Sequence, residues 1–222
     1  LNSILKIDSS AFVREILYED IENNIPKVNI YRNVLPDIIL MPNVGEKGIM
    51  WQEITGKKRE SRARFILPAF TNESIQDMLI YIIGAFRWEL CRTIQGIYWN
   101  DVTDKSLTSE YYDYMQFYKK NRDLSEEVKE KIKSRLAKSR NNIKEVFAYD
   151  YSMWINHEAY GLARLNKVSR LIMFQYCPFS KSIREKISGH PMFEEGIAKF
   201  EREKRKRLKE LKNRYSISKN EN

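Results

Sequence analysis

Apolar residues follow one another almost without interruption from Met78 to Cys91, which reads MLIYIIGAFRWELC. A helix with this run is apolar on nearly every side, and helices of that kind lie in the centre of a protein. The pattern predicts a buried helix over 74–97. Its longest stretch without a charge, 78–86, is far shorter than the roughly 20 apolar residues that cross a bilayer, so no membrane contact is expected.

Two other patterns precede this helix. Apolar residues at helical spacing predict an amphipathic N-terminal helix over 8–23, which Pro26 ends. Its inward-facing residues are Phe12, Ile16, Leu17 and Ile21. From about 28 to 67, short apolar runs alternate with glycine and proline, which is typical of strands joined by turns. These runs are VNIYRNVL, DIILM, GIMWQEI and RARFIL.

After the β region the chain reads as helical almost to its end. The predicted helices are 74–97, 108–120, 125–140, 143–176, 182–188 and 193–214. We therefore expect an α+β fold that is predominantly α-helical, with a small antiparallel β region (about 28–67) packed on a bundle of long helices. Residues 1–200 are expected to form a single globular domain, with the N-terminal helix plus β region in 1–70 and the helical part in 74–200. The remaining residues, 201–222, form a basic helical tail that frays at its end.

The composition agrees with one intracellular domain. A chain of 222 residues is long enough for a single core, and its 8 glycines and 6 prolines are too few for a many-turned all-β fold. Cysteine occurs only at Cys91 and Cys177, and we interpret Cys91, in the buried helix, as a reduced packing thiol. Since no signal peptide is visible, the expected location is the cytoplasm.

The net charge of +9 is concentrated near the C-terminal end. Residues 201–222 carry nine basic and four acidic side chains, which account for more than half of the excess. Such a helix can bind phosphates, but its cations can equally complement the negative end of the helix dipole. We favour a solvated helix end, because no base-reading motif accompanies it. The candidate nucleic-acid contacts, including a second basic cluster between two predicted strands, are Arg59, Arg62, Arg64, Lys204, Arg205, Lys206 and Arg207.

Charges inside the apolar patterns are the main candidates for a functional site. A buried carboxylate has a raised pKa and can act as a general acid or base. The candidate catalytic residues are Glu89, Glu158, His157 and Asp150, and the candidate ligand-binding residues are Arg87, Arg92, Arg164, Trp51 and Glu53. We favour the alternative interpretation that the two glutamates are core carboxylates satisfied by arginine or tyrosine, and that the histidine is a hydrogen-bonded structural residue.

No metal or cofactor is expected. A carboxylate-bridged metal pair in a helical bundle needs a Glu-x-x-His motif on two helices, whereas Glu89 is followed three residues later by Arg92. The soft metal ligands lie far apart in the sequence and lack the spacing of zinc sites. They are Cys91, Cys177, His157 and His190.

These observations favour a non-enzymatic intracellular interaction or regulatory domain that works within a larger protein or assembly. The tyrosine-rich run over 111–118 and the basic terminal helix both suit protein contacts, so a protein partner or self-association is expected. One alternative is binding of RNA or single-stranded DNA through the basic C-terminal helix. Another is a small-molecule-binding protein or enzyme with a buried polar pocket around Glu89 and Glu158.

Overall fold

The computed structural model describes residues 1–20, 25–42, 44, 48–51 and 63–220, without the side chains of 15–32, 51 and 211–220. Its strands are β1 (Val13–Asp20), β2 (Ile25–Asn33), β3 (Asp37–Met41), β4 (Ile49–Trp51) and β5 (Arg64–Pro68). Its α-helices are α1 (Asn2–Ile7), α2 (Ile75–Gln95), α3 (Leu107–Phe117), α4 (Glu126–Lys138), α5 (Ile143–Asn156), α6 (Lys167–Tyr176), α7 (Lys181–Ile187) and α8 (Pro191–Asn220). The predicted α+β class with predominantly helical content is confirmed.

The strands form two small sheets. β1 and β2 make an antiparallel pair, whose register runs from Val13 opposite Asn33 to Tyr18 opposite Val28 and then shifts. In the second sheet β5 is central, with β3 parallel on one side and β4 antiparallel on the other. The three-stranded sheet is therefore mixed, whereas the sequence suggested antiparallel pairing alone.

The predicted N-terminal helix over 8–23 is wrong for residues 8–20, and its last residues, 21–23, lie outside the described part of the chain. The helix α1 ends at Ile7, and Val13–Asp20 forms strand β1. The apolar residues of VREILYED fit both the helical repeat of about 3.6 residues and the strand repeat of two residues. Short runs of this kind are ambiguous between helix and strand. Pairing with β2 supplies the backbone hydrogen bonds that decide the outcome.

The predicted single helix over 143–176 is two helices, α5 and α6, joined by residues 157–166. The helix α5 ends at its C-cap residue His157, and the single 3-10 turn that follows it, Glu158–Tyr160, ends at Gly161, which adopts a positive φ of 82°. Asn166 then caps α6, because its side chain accepts a hydrogen bond from the backbone N–H of Ser169. The glycine and the asparagine were the available sequence signals for this break.

The contact between α2 and α5 lies at the centre of the bundle. As predicted, α2 is buried on nearly every side between Met78 and Leu90. At Gly84 the helices approach so closely that an added Cβ would lie 3.0 Å from the Cα of Ala148 and 3.1 Å from the Cβ of Tyr151. The close packing of these two helices therefore requires a glycine, which has no Cβ, at position 84.

The other predicted helices correspond to α3, α4, α7 and α8. The first turns of α8 pack on α6, where Phe193 is fully buried and lies near the ring of Phe174. Residues 204–210 of α8 are exposed to solvent. Among the described residues, none of the helices combines the length and the apolar character that a membrane crossing requires.

Candidate functional site

Arg87, one of the charges that interrupt α2, lies in a buried cluster with the end of α1. Its Nη1 is 3.2 Å from Oδ2 of Asp8, which also accepts a 2.7 Å hydrogen bond from the hydroxyl of Tyr151. Its Nη2 donates to the backbone carbonyl of Tyr176 at 2.7 Å, and its Nε donates to Sγ of Cys177 at 3.1 Å. The guanidinium is therefore bound on all sides by structural partners.

The electrostatics of this cluster favour a fixed ion pair and an unreactive thiol. Burial, the largest single effect, lowers the pKa of Arg87, but the Asp8 carboxylate, Cys177 and Tyr151 together outweigh burial and raise the pKa. Burial raises the pKa of the Cys177 thiol to about 11, although Arg87 acts in the opposite direction. Because a thiol must ionise to act as a nucleophile, Cys177 is suited to packing only.

Glu89 is bound by two cations at the edge of the core. Its Oε1 accepts a 3.0 Å hydrogen bond from Nζ of Lys144, on the first turn of α5. Its Oε2 lies 3.0 Å from Nε of Arg92, an ion pair that lacks the angle of a hydrogen bond. The structure thus brings together the predicted residues Glu89 and Arg92 and adds Lys144, which the sequence did not indicate.

Glu158 lies in the connection between α5 and α6 and is fully buried. Arg170 of α6 binds it in a bidentate manner, with contacts of 2.7 and 3.2 Å. Oε1 of the same carboxylate accepts hydrogen bonds of 2.5 and 2.6 Å from the backbone N–H groups of Arg164 and Leu165. Arg164 therefore contributes through its backbone, while its side chain is exposed, and the counter-charge is Arg170.

Among the described residues Asp150 is a fourth buried carboxylate, after Asp8, Glu89 and Glu158, and it accepts hydrogen bonds from three helices. Tyr111 and Ser169 donate to Oδ2 at 2.8 and 2.7 Å, and Arg135 donates to Oδ1 at 2.7 Å. Burial raises the pKa of Asp150, while Arg135 opposes the rise. His157 ends α5 two turns away, about 10 Å along the helix axis, and is not a hydrogen-bond partner of Asp150.

Glu89 and Glu158 are bound by different residues, so the carboxylates proposed to share a pocket are held separately. The charge of Glu158 adds a small contribution to the raised pKa of Asp150, after the larger effect of burial. Within the described parts of the chain, no group of three His, Cys, Asp or Glu side chains is placed to hold a metal ion. Each buried carboxylate thus has the partners that a structural ion pair requires.

Several predicted residues are not tested by these contacts. Glu53, Arg59 and Arg62 lie outside the described residues, as does the side chain of Trp51. Arg64, on β5, has an exposed side chain. The remaining nucleic-acid candidates, Lys204, Arg205, Lys206 and Arg207, are exposed on α8.

A cleft of about 520 Å³ opens between the start of α2, the end of α4 and the middle of α5. Its lining residues are Glu73, Ser74, Asp77, Met78, Tyr81, Arg135, Lys138, Ser139, Glu145, Val146, Tyr149 and Ser152. Arg135 lies over the ring of Tyr149, with its guanidinium carbon 5.1 Å from the ring centre. The pKa of Tyr81 is raised by burial and by the nearby Glu145, so its hydroxyl stays protonated. The sequence did not indicate the cleft because its α2 wall, residues 73–81, lies more than 50 positions before the α4 and α5 walls.

An exposed apolar surface surrounds β3, at the edge of the mixed sheet. All five residues of this strand are exposed, and Ile38 and Leu40 retain 51% and 66% of their accessible surface. Leu35 before the strand and Phe70 after β5 are exposed by 60% and 81%. We refer to Leu35, Ile38, Ile39, Leu40, Met41 and Phe70 as the β3 surface. The run DIILM predicted a strand, but nothing in it indicated that both of its faces are open to solvent.

Comparison with known proteins identifies the family of this chain and offers no functional relative. Neither the curated proteins nor the solved structures contain a match to it. Residues 96–222 match the model of the family described as "Domain of unknown function (DUF8509)". Because this match spans more than half of the sequence, the chain belongs to the DUF8509 family.

Proposed function

We propose that this chain is a non-enzymatic interaction domain that pairs with a second copy of itself along β3. The observation that carries the proposal is the β3 surface, in which four consecutive apolar residues are exposed on one edge strand. Scattered exposed apolar residues are ordinary, whereas a contiguous group on an edge strand is typical of an association site.

The backbone of β3 has hydrogen-bonding groups available for such a pairing. The N–H of Asp37 donates to Ala63, and the carbonyl of Met41 accepts from Ala69, so both residues direct these groups toward β5. In a parallel ladder the alternate residues, here Ile38 and Leu40, direct theirs the opposite way. Among the described residues no strand pairs with that outer edge.

A second copy of the chain is a suitable occupant of this edge. In an antiparallel pair centred on Ile39, Ile38 of one copy lies opposite Leu40 of the other, and these residues exchange four backbone hydrogen bonds. Asp37 then lies opposite Met41, so the two like charges are separated by the length of the strand. Such a pair has the two-fold symmetry that is commonest among protein dimers.

The size of the β3 surface also supports a dimer. Its six large apolar side chains each retain 37–81% of their accessible surface, and a contiguous exposed apolar patch of this kind is typical of an association site. The state of the buried carboxylates supports a function without catalysis, since Asp150 and the two glutamates are each engaged by cations. Their environment favours structural roles over acid–base chemistry.

Sedimentation velocity from about 1 to 100 µM, a range that detects micromolar self-association, tests this proposal. We expect a reversible dimer whose dissociation constant rises at least about tenfold in Leu40→Lys, because a charge replaces an apolar contact at the centre of the interface. The matched control is Leu162→Lys, at a similarly exposed leucine outside the sheet, which should dimerise normally.

A variant that removes a backbone hydrogen-bond donor distinguishes strand pairing from nonspecific hydrophobic association. Leu40→Pro keeps an apolar side chain but removes the outward N–H, and proline is tolerated where an edge strand faces solvent. It should weaken the dimer as Leu40→Lys does. A chain that remains monomeric at every concentration, or a dimer unaffected by both variants, would overturn the proposal and leave another protein as the occupant of β3.

One observation favours RNA or single-stranded DNA binding as a second candidate function. The four consecutive cations Lys204, Arg205, Lys206 and Arg207 are all exposed on a helix whose beginning is fixed to the bundle. Because consecutive residues of a helix point about 100° apart, these cations surround α8 with positive charge, which attracts a phosphate backbone without reading its sequence.

A further inference from the structure

The cleft between α2, α4 and α5 has the dimensions of a small-molecule site. Its volume of about 520 Å³ lies within the roughly 300–1,000 Å³ that ligand pockets in proteins occupy. Apolar and aromatic side chains form part of its wall, chiefly Met78, Tyr81, Val146 and Tyr149. A ligand with an apolar body therefore finds a matching surface there.

Charges of opposite sign line different walls of this cleft. The end of α4 provides Arg135 and Lys138, while the start of α2 and the first turn of α5 provide Glu73, Asp77 and Glu145. Within the described residues no ion pair joins the two groups. Asp77 instead accepts a 2.8 Å hydrogen bond from the amide of Asn156. Both signs of charge thus remain available to a ligand.

Arg135 is held in place for binding. Asp150 takes up only one of its five N–H donors, at 2.7 Å, and Tyr149 lies against the guanidinium plane. Its side chain is about one-third exposed. A guanidinium fixed in this way loses little freedom when it binds a carboxylate through its remaining donors.

The mixture of charges restricts the class of ligand. A phosphate ester or other polyanion would be repelled by the three carboxylates, and a simple amine would be repelled by Arg135 and Lys138. We propose that the cleft binds a zwitterion of the amino-acid type, with its carboxylate at Arg135 and Lys138 and its ammonium group at Asp77 and Glu145. The body of the ligand then packs on Tyr81 and Tyr149. A free amino acid and a short peptide share this chemistry.

Isothermal titration calorimetry with defined probes tests the inference and distinguishes the two sources. The probes are L-phenylalanine, the dipeptide Phe-Phe, the N-acetylated and C-amidated form of each, and inorganic phosphate. We expect saturable binding of at least one free zwitterion, and about tenfold weaker binding when either charge is blocked. Preference for phenylalanine or for the dipeptide then identifies the source.

Variants at exposed Lys138 and half-buried Glu145 connect such binding to the cleft. Lys138→Gln and Glu145→Gln should each weaken it about tenfold. Their controls, Lys133→Gln and Glu127→Gln, remove the same charges elsewhere on the exposed face of α4 and should bind normally. The inference fails if no zwitterion saturates by about 10 mM, where even a millimolar ligand would. It also fails if blocked probes or phosphate bind as well as the zwitterions, or if Lys138→Gln matches its control.

Discussion

At the scale of single residues, the interior of this protein holds its charges in pairs. Removing one member of a buried pair leaves the other without compensation, which costs about 3–5 kcal/mol, far more than the net value of the pair. In the part of the chain that the structure describes, both side chains are buried in two pairs, Arg87 with Asp8 and Arg170 with Glu158. The main effect of these pairs is consequently to fix which helix surfaces pack together. Their net contribution to the free energy of unfolding is small by comparison.

Asp150 gives this arrangement a measurable pH dependence. Its folded-state pKa is raised above the ordinary value of 3.8, chiefly by burial, so the folded protein binds the proton more tightly than the unfolded chain. The contribution of Asp150 to stability is therefore complete below 3.8 and is lost as the pH rises through the raised folded value. We expect the stability advantage of the wild type over Asp150→Asn to shrink as the pH increases through this window.

Urea unfolding of both proteins at several pH values measures this advantage. The control for the change in net charge is Asp123→Asn, at an exposed residue. The stability difference between the wild type and this control should not shrink as the pH rises. A wild-type advantage that grows with pH would mean that Arg135 outweighs burial, and that the folded protein favours the ionised carboxylate.

The sequence identified these buried charges better than it identified their partners. Arg87 and Glu89 were singled out because they interrupt an apolar helix, and their burial follows directly from that pattern. Their partners Asp8 and Lys144 lie 79 and 55 positions away, where nothing marks them as buried-pair residues. The packing of the helices determines which distant charged residues form a pair. The periodicity of apolar residues in the sequence does not contain this information.

At the scale of secondary-structure elements, prediction succeeded where a pattern was long and failed where it was short or interrupted. The apolar run of α2 and the sparse stripe of α4 each cover several turns, and both helices are present. The segment 13–20 has only eight residues, and its strand pairing depends on residues 25–33. Tertiary contacts therefore decided the element that the local pattern left ambiguous.

The junction between α6 and α8 depends on Gly196. An added Cβ would lie 2.2 Å from Cδ2 of Phe174, whose ring is held by Trp154 and Phe179 and cannot move aside. Alanine gains about 1 kcal/mol in helix propensity, but overpacking of a buried contact costs about 1–3 kcal/mol. We expect Gly196→Ala to lower the free energy of unfolding by about 1 kcal/mol, measured by urea denaturation.

Gly189 provides the matched control for this substitution. An added Cβ there meets no atom within 4 Å, so Gly189→Ala should leave stability unchanged or slightly raise it. If Gly196→Ala were as stable as Gly189→Ala, the helix α8 would be able to shift on α6.

At the scale of the whole molecule, the net charge of +9 is distributed unevenly, and the excess is greatest where α8 is exposed. If the cations Lys204 to Arg207 each bind a phosphate, affinity for single-stranded RNA should fall with salt at a log–log slope of about −3. Fluorescence anisotropy of labelled RNA at several salt concentrations measures this slope. Binding should disappear in a chain that ends at Phe200.

A charge-matched pair of variants controls this measurement. Lys204→Glu with Lys206→Glu should abolish binding, while Lys131→Glu with Lys133→Glu, on the exposed face of α4, should not. Equal loss in both variants would indicate that only overall charge matters. If RNA binding is absent or insensitive to salt, the basic segment does not bind phosphates and is a solvated helix end.

The buried contacts of the molecule extend across the start of the family match at residue 96. Arg87 reaches Cys177, Asp8 reaches Tyr151, and Gly84 lies against the backbone of α5. The matched region thus depends on residues before it for the partners of its own buried polar groups. Tyr151 in particular would lose the acceptor of its hydroxyl without Asp8.

The hydrogen bond between Asp8 and Tyr151 spans 143 positions, which has a consequence for synthesis. A ribosome adds about 5–20 residues per second, so Tyr151 is made roughly 7–30 seconds after Asp8. For about 3–11 seconds of that interval, after Gln95 and before Tyr151 is added, the nascent chain contains the apolar helix α2 without α5, the helix it packs against. Productive folding of α2 therefore waits until translation has passed α5, because until then the segment cannot bury the surface that packs on α5.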